Sequence, residues 1–359
     1  MLTLVLPGDP LTATGGYEYD RRMVEGLREL GWTIRVLTLD SSFPLPGDEA
    51  LRDAQRQLSA LPADSLVMID GLALGAMPEV VRAQQDRLCM IGLVHHPLAA
   101  ETGLPAKLVS QLFESERRAL HAMRLVVVTS RSTRRALDAY AVASHRIAVA
   151  EPGVDQPANE IPKAPGQIHA SAPVRMLCVA TITPRKGHDL LVDALTSLAA
   201  LSWTLTCVGD VERSPATTRA LRMQIEAAGW KDRVVLTGEL DEAALDRQFR
   251  AADLFVLATR FEGYGMAVAQ ALAHGLPIVS TRTGAIGELV PPAAGMLVEP
   301  DDGAALRDAL SNVLSDAELR RRLAEGARAA GAKLPDWSVA SQRLSQILAG
   351  VASDARTMS

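Results

Sequence analysis

The sequence predicts two doubly wound α/β domains in tandem, each a parallel sheet covered by helices on both faces. Short, continuously apolar segments alternate with helical patterns along the chain, as is typical of strands buried on both faces of a parallel sheet. The alternation stops once, at residues 156–173, and then restarts. The length of 359 residues, 48% of them hydrophobic, is sufficient for two cores.

The first domain is predicted to span residues 1–155. Helical patterns, for example Gly16–Leu30 and Pro105–Met123, separate its strands. Its six strand candidates are Leu2–Leu6, Thr33–Leu39, Leu66–Ile69, Leu88–Val94, Leu125–Thr129 and Ile147–Ala150.

Residues 156–173 are predicted to be a linker because they contain four prolines and show no periodicity. A second domain follows at residues 174–336. A last helical segment, residues 337–359, has no strand after it, and the pattern leaves open whether it packs back on the first domain. The strand candidates of the second domain are Val174–Ala180, Leu205–Val208, Val234–Leu236, Leu254–Leu257, Ile278–Ser280 and Met296–Val298.

Composition excludes several classes of protein. The net charge is −5 and neither half is basic, so we expect no nucleic-acid partner. No apolar stretch reaches the ~18 residues that a membrane-spanning helix needs, and the first residues lack the basic region of a signal peptide. We therefore expect a cytoplasmic protein and leave peripheral association with the inner membrane face open. Cys89, Cys178 and Cys207 lie in apolar strands and are interpreted as core residues.

The position of the active site follows from the fold class. Open parallel sheets bind ligands beyond the carboxyl ends of their strands. Two such sheets predict a ligand-binding cleft where these ends face each other, and the candidate residues below all follow strands.

The segment of residues 251–290 is the most informative part of the chain. It reads as a buried strand, a glycine loop with one carboxylate, a helix and a second strand. A helix that begins at such a loop offers free N–H groups and partial positive charge to a phosphate. Glu262 has the wrong sign for phosphate and is expected to bond sugar hydroxyls; the alternative is an acidic residue stabilised by the helix dipole.

The helix after this loop and the backbone at its start are predicted to bind the ribose and the phosphates of a nucleotide. Gln270 lies roughly 6–9 Å from the helix start at about 1.5 Å per residue, which is within reach of a ribose. An ordinary polar helix residue remains the alternative for Gln270. The backbone that would meet the phosphates comprises Gly263, Tyr264, Gly265 and Met266.

Arg185 and Lys186 follow the first strand of the second domain and precede a helix. Two cations at such a point can hold a diphosphate. The alternative is that both are solvated basic residues of a loop. For Arg185 neither interpretation is preferred. In the next glycine loop, Thr283 and Gly284 are candidates for the sugar pocket, whereas Glu288 is interpreted as structural.

The first domain contributes two candidate positions. Gly15 and Gly16 follow the first strand and open a helix, so they could approach a phosphate or sugar closely; a simple turn is the alternative. The G-x-G-x-x-G fingerprint is absent, which argues against an NAD enzyme. His95 and His96 follow the strand Leu88–Val94. Strand residues alternate faces, so only one of the two should reach the ligand, and His95 is chosen.

No D-x-D triplet occurs, so a metal on the diphosphate is not expected. Cationic side chains and helix dipoles would take its place. We expect no metal site and no cofactor beyond the nucleotide-sugar substrate.

Several segments of the second domain form one ordered pattern: RKGHDLL, AADLFVLATRFEGYGMAVAQALAHGLPIV and GAIGELV. Weaker matches precede it, in TGGYEYDRRMVEGLRELGW, VHHP, VVVTS and EPGVD. This pattern resembles the retaining GT-B glycosyltransferases of family 4, also called glycosyl transferases group 1. The resemblance implies two Rossmann-like domains that face each other across a cleft, a nucleotide-sugar donor and retention at the anomeric carbon.

The resemblance also implies roles for individual residues. Lys186 would contact the diphosphate, and Glu262 and His95 the donor sugar. Gln270 stands at the ribose position and Gly16 beneath the phosphates. Backbone groups of the loop that holds Glu239 and Leu240 are expected to meet the base.

Two positions depart from the family pattern. The family has a second Glu where Gln270 stands, and an Arg where Thr181 stands, five residues before Lys186. Loss of one charge-assisted hydrogen bond would cost ~1 kcal/mol of donor binding. Arg185 could replace the missing arginine.

The predicted activity is transfer of a hexose from a UDP- or GDP-sugar to a hydroxyl acceptor, with lipid and polysaccharide precursors among the candidates. Two alternatives remain. One is an epimerase-like enzyme on the same fold, because fold alone does not fix chemistry. The other is a degenerate, non-catalytic homologue that binds a partner. The departures from the family pattern at Gln270 and Thr181 suggest this alternative.

Overall fold

The computed structural model describes residues 1–12, 14–157 and 172–357, the last five of them as backbone only. The described chain divides into two compact units, Met1–Gly153 with Pro335–Ser359, and Val154–Leu334. Most of the predicted linker, residues 158–171, lies outside the described residues. None of the described helices combines the length and apolarity that crossing a membrane requires.

The first unit contains a six-stranded sheet in the order β2-β1-β3-β4-β5-β6, with every pair parallel. Its central strands are buried along their whole length, which explains their continuous apolarity. The strands are β1 (Leu2–Pro7), β2 (Ile34–Leu39), β3 (Leu66–Asp70), β4 (Cys89–Val94), β5 (Leu125–Val128) and β6 (Ile147–Val149). The helices are α1 (Gly15–Glu29), α2 (Asp48–Ser59), α3 (Gly71–Leu74), α4 (Pro78–Arg82), α5 (Ala106–His121) and α6 (Arg131–Ala136).

The second unit repeats this architecture in the order β12-β11-β10-β7-β8-β9, again all parallel. Trp203 and Trp230 pack edge to face within its core. The strands are β7 (Val174–Val179), β8 (Trp203–Val208), β9 (Val234–Gly238), β10 (Leu254–Leu257), β11 (Ile278–Thr281) and β12 (Gly295–Val298). The helices are α7 (His188–Thr196), α8 (Pro215–Ala227), α9 (Glu242–Ala251), α10 (Met266–Ala273), α11 (Ile286–Leu289), α12 (Gly303–Ser315) and α13 (Ala317–Gly331).

The C-terminal helix, α14 (Trp337–Thr357), belongs to the first unit and packs on α1. Gly26 marks the close approach: a Cβ there would lie 2.1 Å from Ser341 Oγ. Trp337 sits against the Tyr19 ring, with 6.4 Å between the ring centroids.

All twelve predicted strands are present, with boundaries that differ by at most two residues. The prediction of two doubly wound α/β domains is confirmed. Within each unit the parallel strands direct their carboxyl ends to one edge of the sheet, and the loops at that edge carry the predicted site residues.

Candidate functional site

In the second unit, two loops meet at the carboxyl ends of the neighbouring strands β7 and β10. The first follows β7 and forms a 3-10 turn over Pro184–Lys186 before α7 begins. The second runs from the end of β10 to the start of α10 and carries Glu262. Because β7 and β10 are adjacent, residues that are 76 positions apart in sequence come into contact.

Lys186 and Glu262 form a buried ion pair between these loops. Lys186 Nζ lies 2.5 Å from Glu262 Oε1, and the two side chains are only 16% and 9% exposed. An ammonium group has three N–H donors, and this contact uses one. The remaining donors can bind an anion while the pair stays formed.

Arg185 is a third charge near this ion pair, and it lowers the pKa of both members. Burial alone would raise the pKa of Glu262, but attraction to Lys186 and Arg185 outweighs burial and lowers that pKa. Burial lowers the pKa of Lys186, Arg185 repels its charge, and Glu262 opposes both effects only in part. The site is therefore a carboxylate held ionised by two cations.

Hydrogen bonds fasten the two loops together through Arg185. Its guanidinium donates from Nη1 to the carbonyl of Phe261 at 2.9 Å. Its own carbonyl accepts from the Arg260 N–H at 2.7 Å and from Thr259 Oγ1 at 3.1 Å. Arg185 thus holds the loop that carries Glu262, in addition to contributing charge.

Two glycines permit this close approach. A Cβ on Gly187, which has φ +66°, would lie 1.9 Å from the carbonyl oxygen of Ala258. A Cβ on Gly284, with φ +52°, would lie 1.5 Å from the carbonyl oxygen of Glu262. Both positions need the left-handed backbone and the missing side chain, so they admit glycine alone.

The helix α10 begins directly after the Glu262 loop. Its N-cap, Gly265, adopts φ +95°, makes no side-chain cap, and no acidic residue occupies the first turn. The first N–H groups of such a helix lack partners within the helix and form an anion-binding end. Of the loop residues, Tyr264 is 6% exposed, while Met266 packs against the small cluster that contains Tyr264 and Val154.

Gln270 makes contacts that the sequence did not indicate. Its amide accepts from the Asp155 N–H at 3.1 Å and donates to the Asp155 carbonyl at 2.8 Å. A contact between Nε2 and His274 Nδ1 at 3.4 Å completes its surroundings. Gln270 therefore ties the backbone of residue 155 to α10, and its contact with a ribose stays a prediction.

Replacing Gln270 with glutamate is expected to separate these two roles. A carboxylate still accepts from the Asp155 N–H but cannot donate to the Asp155 carbonyl, so about 1–3 kcal/mol of stability should be lost. If the side chain also faces a ribose, Gln270→Glu should bind donors more tightly, because a charged acceptor bonds hydroxyls more strongly. Urea unfolding and donor titration measure the two effects separately. Unchanged stability would contradict the Asp155 contact.

The other predicted donor contacts lie at neighbouring loops. Gly238 ends β9 with φ +74° and open space where a Cβ would be; Glu239 is exposed and Leu240 is half-buried against the core. Thr283 donates from Oγ1 to the Arg260 carbonyl at 3.2 Å, which ties its loop to the Glu262 loop. The contacts of these residues with base or sugar stay predictions.

In the first unit, His95 lies between two aspartates at the carboxyl edge of the sheet. Its Nε2 is 3.4 Å from Asp20 Oδ1 and 3.3 Å from Asp70 Oδ2, and both aspartates are 3% exposed. The ring also contacts Gly16, where a Cβ would lie 3.4 Å from His95 Cδ2. Gly15 is the first residue of α1.

Sequence reasoning missed Asp20 and Asp70. A signal existed for each: Asp70 ends an apolar strand, and Asp20 stands beside Tyr19 on the side of α1 that is otherwise apolar and buried. Both carry charge where the pattern calls for an apolar residue. Only the packing of α1 against the strand ends shows that the two carboxylates share one partner.

Two clusters in the described residues have donor atoms close enough to share a metal ion. One is Asp20, Asp70 and His95, and the other is Cys178, Cys207 and His188. In the second cluster, Cys178 Sγ is 3.7 Å from His188 Nε2, and the cysteines are register partners on β7 and β8. All three of its residues are buried. The expectation of a metal-free reaction stays a prediction.

Comparison with known proteins places this geometry in context. Residues 173–316 match the family model described as Glycosyl transferases group 1. The D-inositol 3-phosphate glycosyltransferase of Xylanimonas cellulosilytica is 30% identical over 216 residues, which cover 57% of this chain and 51% of that protein. The matched part spans about half or less of the length of the first curated relatives, 51%, 42% and 46% in turn.

Solved structures extend the likeness of fold to the whole chain. Sucrose-phosphate synthase from Thermosynechococcus elongatus superposes with a TM-score of 0.81 at 20% identity, covering 99% of this chain and 100% of that one. Anabaena HepE in complex with UDP-glucose gives 0.75 at 18% identity, covering 98% and 100%. The predicted GT-B fold class is thereby confirmed.

Proposed function

Since residues 173–316 of this chain match the family model of the glycosyl transferases group 1, we propose that it moves a hexose from a nucleoside diphosphate sugar to a hydroxyl acceptor with retention. The observation that carries the proposal is the buried pair of Lys186 and Glu262 at the strand ends, next to the start of α10. A cation, a helix N-terminus and a carboxylate suit the phosphates and hydroxyls of such a donor.

The difficult step in sugar transfer is cleavage of the bond between the anomeric carbon and the diphosphate oxygen. Positive charge develops on the sugar and negative charge on the departing diphosphate. Lys186, Arg185 and the first N–H groups of α10 would stabilise the departing charge, because they are already fixed by the loop contacts described above. Preorganised charge of this kind is usually the largest contribution to catalysis.

Retention follows in this proposal from a substitution on one face of the sugar. The negative charge of Glu262 is balanced by Lys186 and Arg185, which makes this carboxylate a poor nucleophile for a covalent sugar intermediate. The departing phosphate would instead take the proton of the acceptor hydroxyl as the new bond forms. Glu262 would bind sugar hydroxyls with the carboxylate oxygen that Lys186 does not occupy.

The donor class is supported by relatives. HepE is described in complex with UDP-glucose, and relatives include a GDP-mannose-dependent mannosyltransferase. We propose a UDP- or GDP-hexose as donor and a lipid- or saccharide-linked hydroxyl as acceptor, with no metal required because Arg185 and Lys186 supply positive charge. Association with a membrane surface belongs to the same proposal.

A thermal-shift panel tests donor binding. UDP-glucose, GDP-mannose and ADP-glucose are compared at equal concentration, followed by detection of released nucleotide with candidate acceptors. A donor at 100 times its Kd adds about 2.7 kcal/mol to stability. We expect one nucleotide class to raise the melting temperature and to do so without added divalent metal.

Lys186→Ala should abolish most of this shift, measured relative to the melting temperature of the variant alone. The matched control is Lys231→Ala, which removes the lysine of an exposed pair with Glu226 in the same unit. A shift that survives in Lys186→Ala, or the absence of a shift with every donor, would contradict the proposal. The second result would favour the non-catalytic alternative.

A further inference from the structure

The segment of residues 95–98 joins the end of β4 to a 3-10 turn, Leu98–Ala100. The ladder between β4 and β5 ends with the last residue of each strand. Directly beyond it, the His95 carbonyl accepts from Thr129 Oγ1 and from Thr133 Oγ1, each at 3.3 Å. Side chains from the end of β5 and from α6 therefore fix the first residue of the segment.

Glu116 of α5 holds the other end of this segment. Its Oε2 accepts from the Leu98 N–H at 3.0 Å. Leu98 is the first residue of the 3-10 turn, and the N-cap of that turn is Pro97, whose ring offers no acceptor. The first N–H of a helical turn has no partner within the turn. Glu116 therefore supplies, from another element, the acceptor that a polar N-cap residue usually supplies.

The position of Glu116 in the fold is costly for a carboxyl group. The residue is 1% exposed and lies on the buried face of α5 with Leu112 and Leu120. Burial raises the pKa of Glu116 to about 7, and hydrogen bonding to Tyr140 and to the Leu98 N–H opposes burial only in part. An apolar residue at this position would avoid that cost. Core stability alone therefore does not account for a glutamate here.

Gly75 brings the Glu116 contact close to the His95 ring. A Cβ on Gly75 would lie 2.6 Å from Leu98 Cδ1 and 3.2 Å from both Cβ and Cγ of Glu116, so the missing side chain makes room for both residues. Gly75 is the C-cap of α3, and the N-cap of α3 is Asp70, whose Oδ2 lies 3.3 Å from His95 Nε2. The same short helix thus contacts the His95 ring at its start and the Glu116 contact at its end.

We propose that Glu116 is a positioning residue for the transfer reaction, which fixes residues 95–98 and thereby the orientation of His95 towards the donor sugar. Glu116 acts through the backbone of the segment and does not touch the substrates. A reacting group that is misplaced by about 1 Å can lose ~100-fold in rate. This role rests on the proposed function, whereas the effect of Glu116 on the segment can be measured without it.

Three variants of the full-length protein isolate the contact. Glu116→Met keeps a side chain of similar length in the core but leaves the Leu98 N–H without its acceptor. Glu116→Gln keeps an acceptor oxygen and removes the carboxyl group. Gln84→Met is the matched control, because Gln84 is also a buried polar residue of this unit and donates to Ser59 Oγ at 3.0 Å, outside the segment.

Hydrogen exchange measured by mass spectrometry reports on the segment itself. In Glu116→Met, peptides that cover residues 95–101 should exchange about 10-fold faster than in wild type, as losing one hydrogen bond to a buried carboxyl group implies. Glu116→Gln should restore most of the protection, and Gln84→Met should leave it unchanged. Wild-type exchange of these peptides in Glu116→Met would overturn the proposal.

Single-turnover transfer and nucleotide titration report on the reaction. In Glu116→Met the rate of donor cleavage should fall about 10- to 100-fold, while the Kd of free UDP or GDP stays unchanged, because the predicted nucleotide contacts lie in the second unit. Glu116→Gln should recover most of the rate. An unchanged rate in Glu116→Met, or an equal loss in Gln84→Met, would overturn the role of Glu116. If the wild-type protein transfers from no donor, the proposed function fails, and the exchange result alone decides whether Glu116 holds the segment.

Discussion

Replacing Gly284 with alanine is expected to destabilise the second unit by about 3–5 kcal/mol, through left-handed strain and overpacking together. The new Cβ would lie 1.5 Å from the Glu262 carbonyl oxygen and 2.6 Å from its carbonyl carbon. The Glu262 loop would have to move, so donor binding should also be lost. Urea unfolding followed by tryptophan fluorescence measures the change, because Trp203 and Trp230 are core residues of this unit.

Gly229→Ala is the matched control for backbone strain. Gly229 has φ +71° in the same unit, but no atom lies within 4 Å of the position a Cβ would take. This variant should lose only the left-handed cost, about 1–2 kcal/mol, and keep donor binding. Equal losses in the two variants would mean that the contact between Gly284 and Glu262 does not constrain the loop.

Glu262→Ala is the second change with a large expected effect. It leaves the Lys186 ammonium buried without its carboxylate, which typically costs about 3–5 kcal/mol. Donor-dependent release of nucleotide should fall at least about 100-fold, as losing roughly 3 kcal/mol of transition-state stabilisation implies. Unfolding curves and single-turnover assays on the same preparation measure both losses.

The variant Glu262→Gln keeps the shape of the side chain and removes its charge, so it gives the pH dependence. Because the pKa of Glu262 in the folded protein is below its ordinary 4.5, the ionised carboxylate stabilises the fold fully at pH values above 4.5. That contribution disappears as pH falls through the folded pKa. The stability gap between wild type and Glu262→Gln should therefore be full at pH 7 and shrink in acid. A gap that is constant from pH 7 to pH 3 would show that the ion pair contributes nothing.

Much of the site could be predicted because strand ends are recognisable locally. Lys186 and Glu262 each follow a continuously apolar segment and precede a helical one, and parallel strands place such positions at one edge. The sequence could not show that the two side chains touch. That contact depends on β10 pairing with β7 although β8 and β9 intervene in the chain.

The sequence by itself determined the twelve strands, the doubly wound class and the loops that carry the candidate residues, because hydrophobic periodicity is a local property. The tertiary structure alone decided that Gln270 bonds to the backbone of Asp155, 115 residues away, and that Asp20 and Asp70 both face His95. Such contacts arise from strand order and helix packing. No local pattern encodes them, since the partners are brought together only when each unit folds.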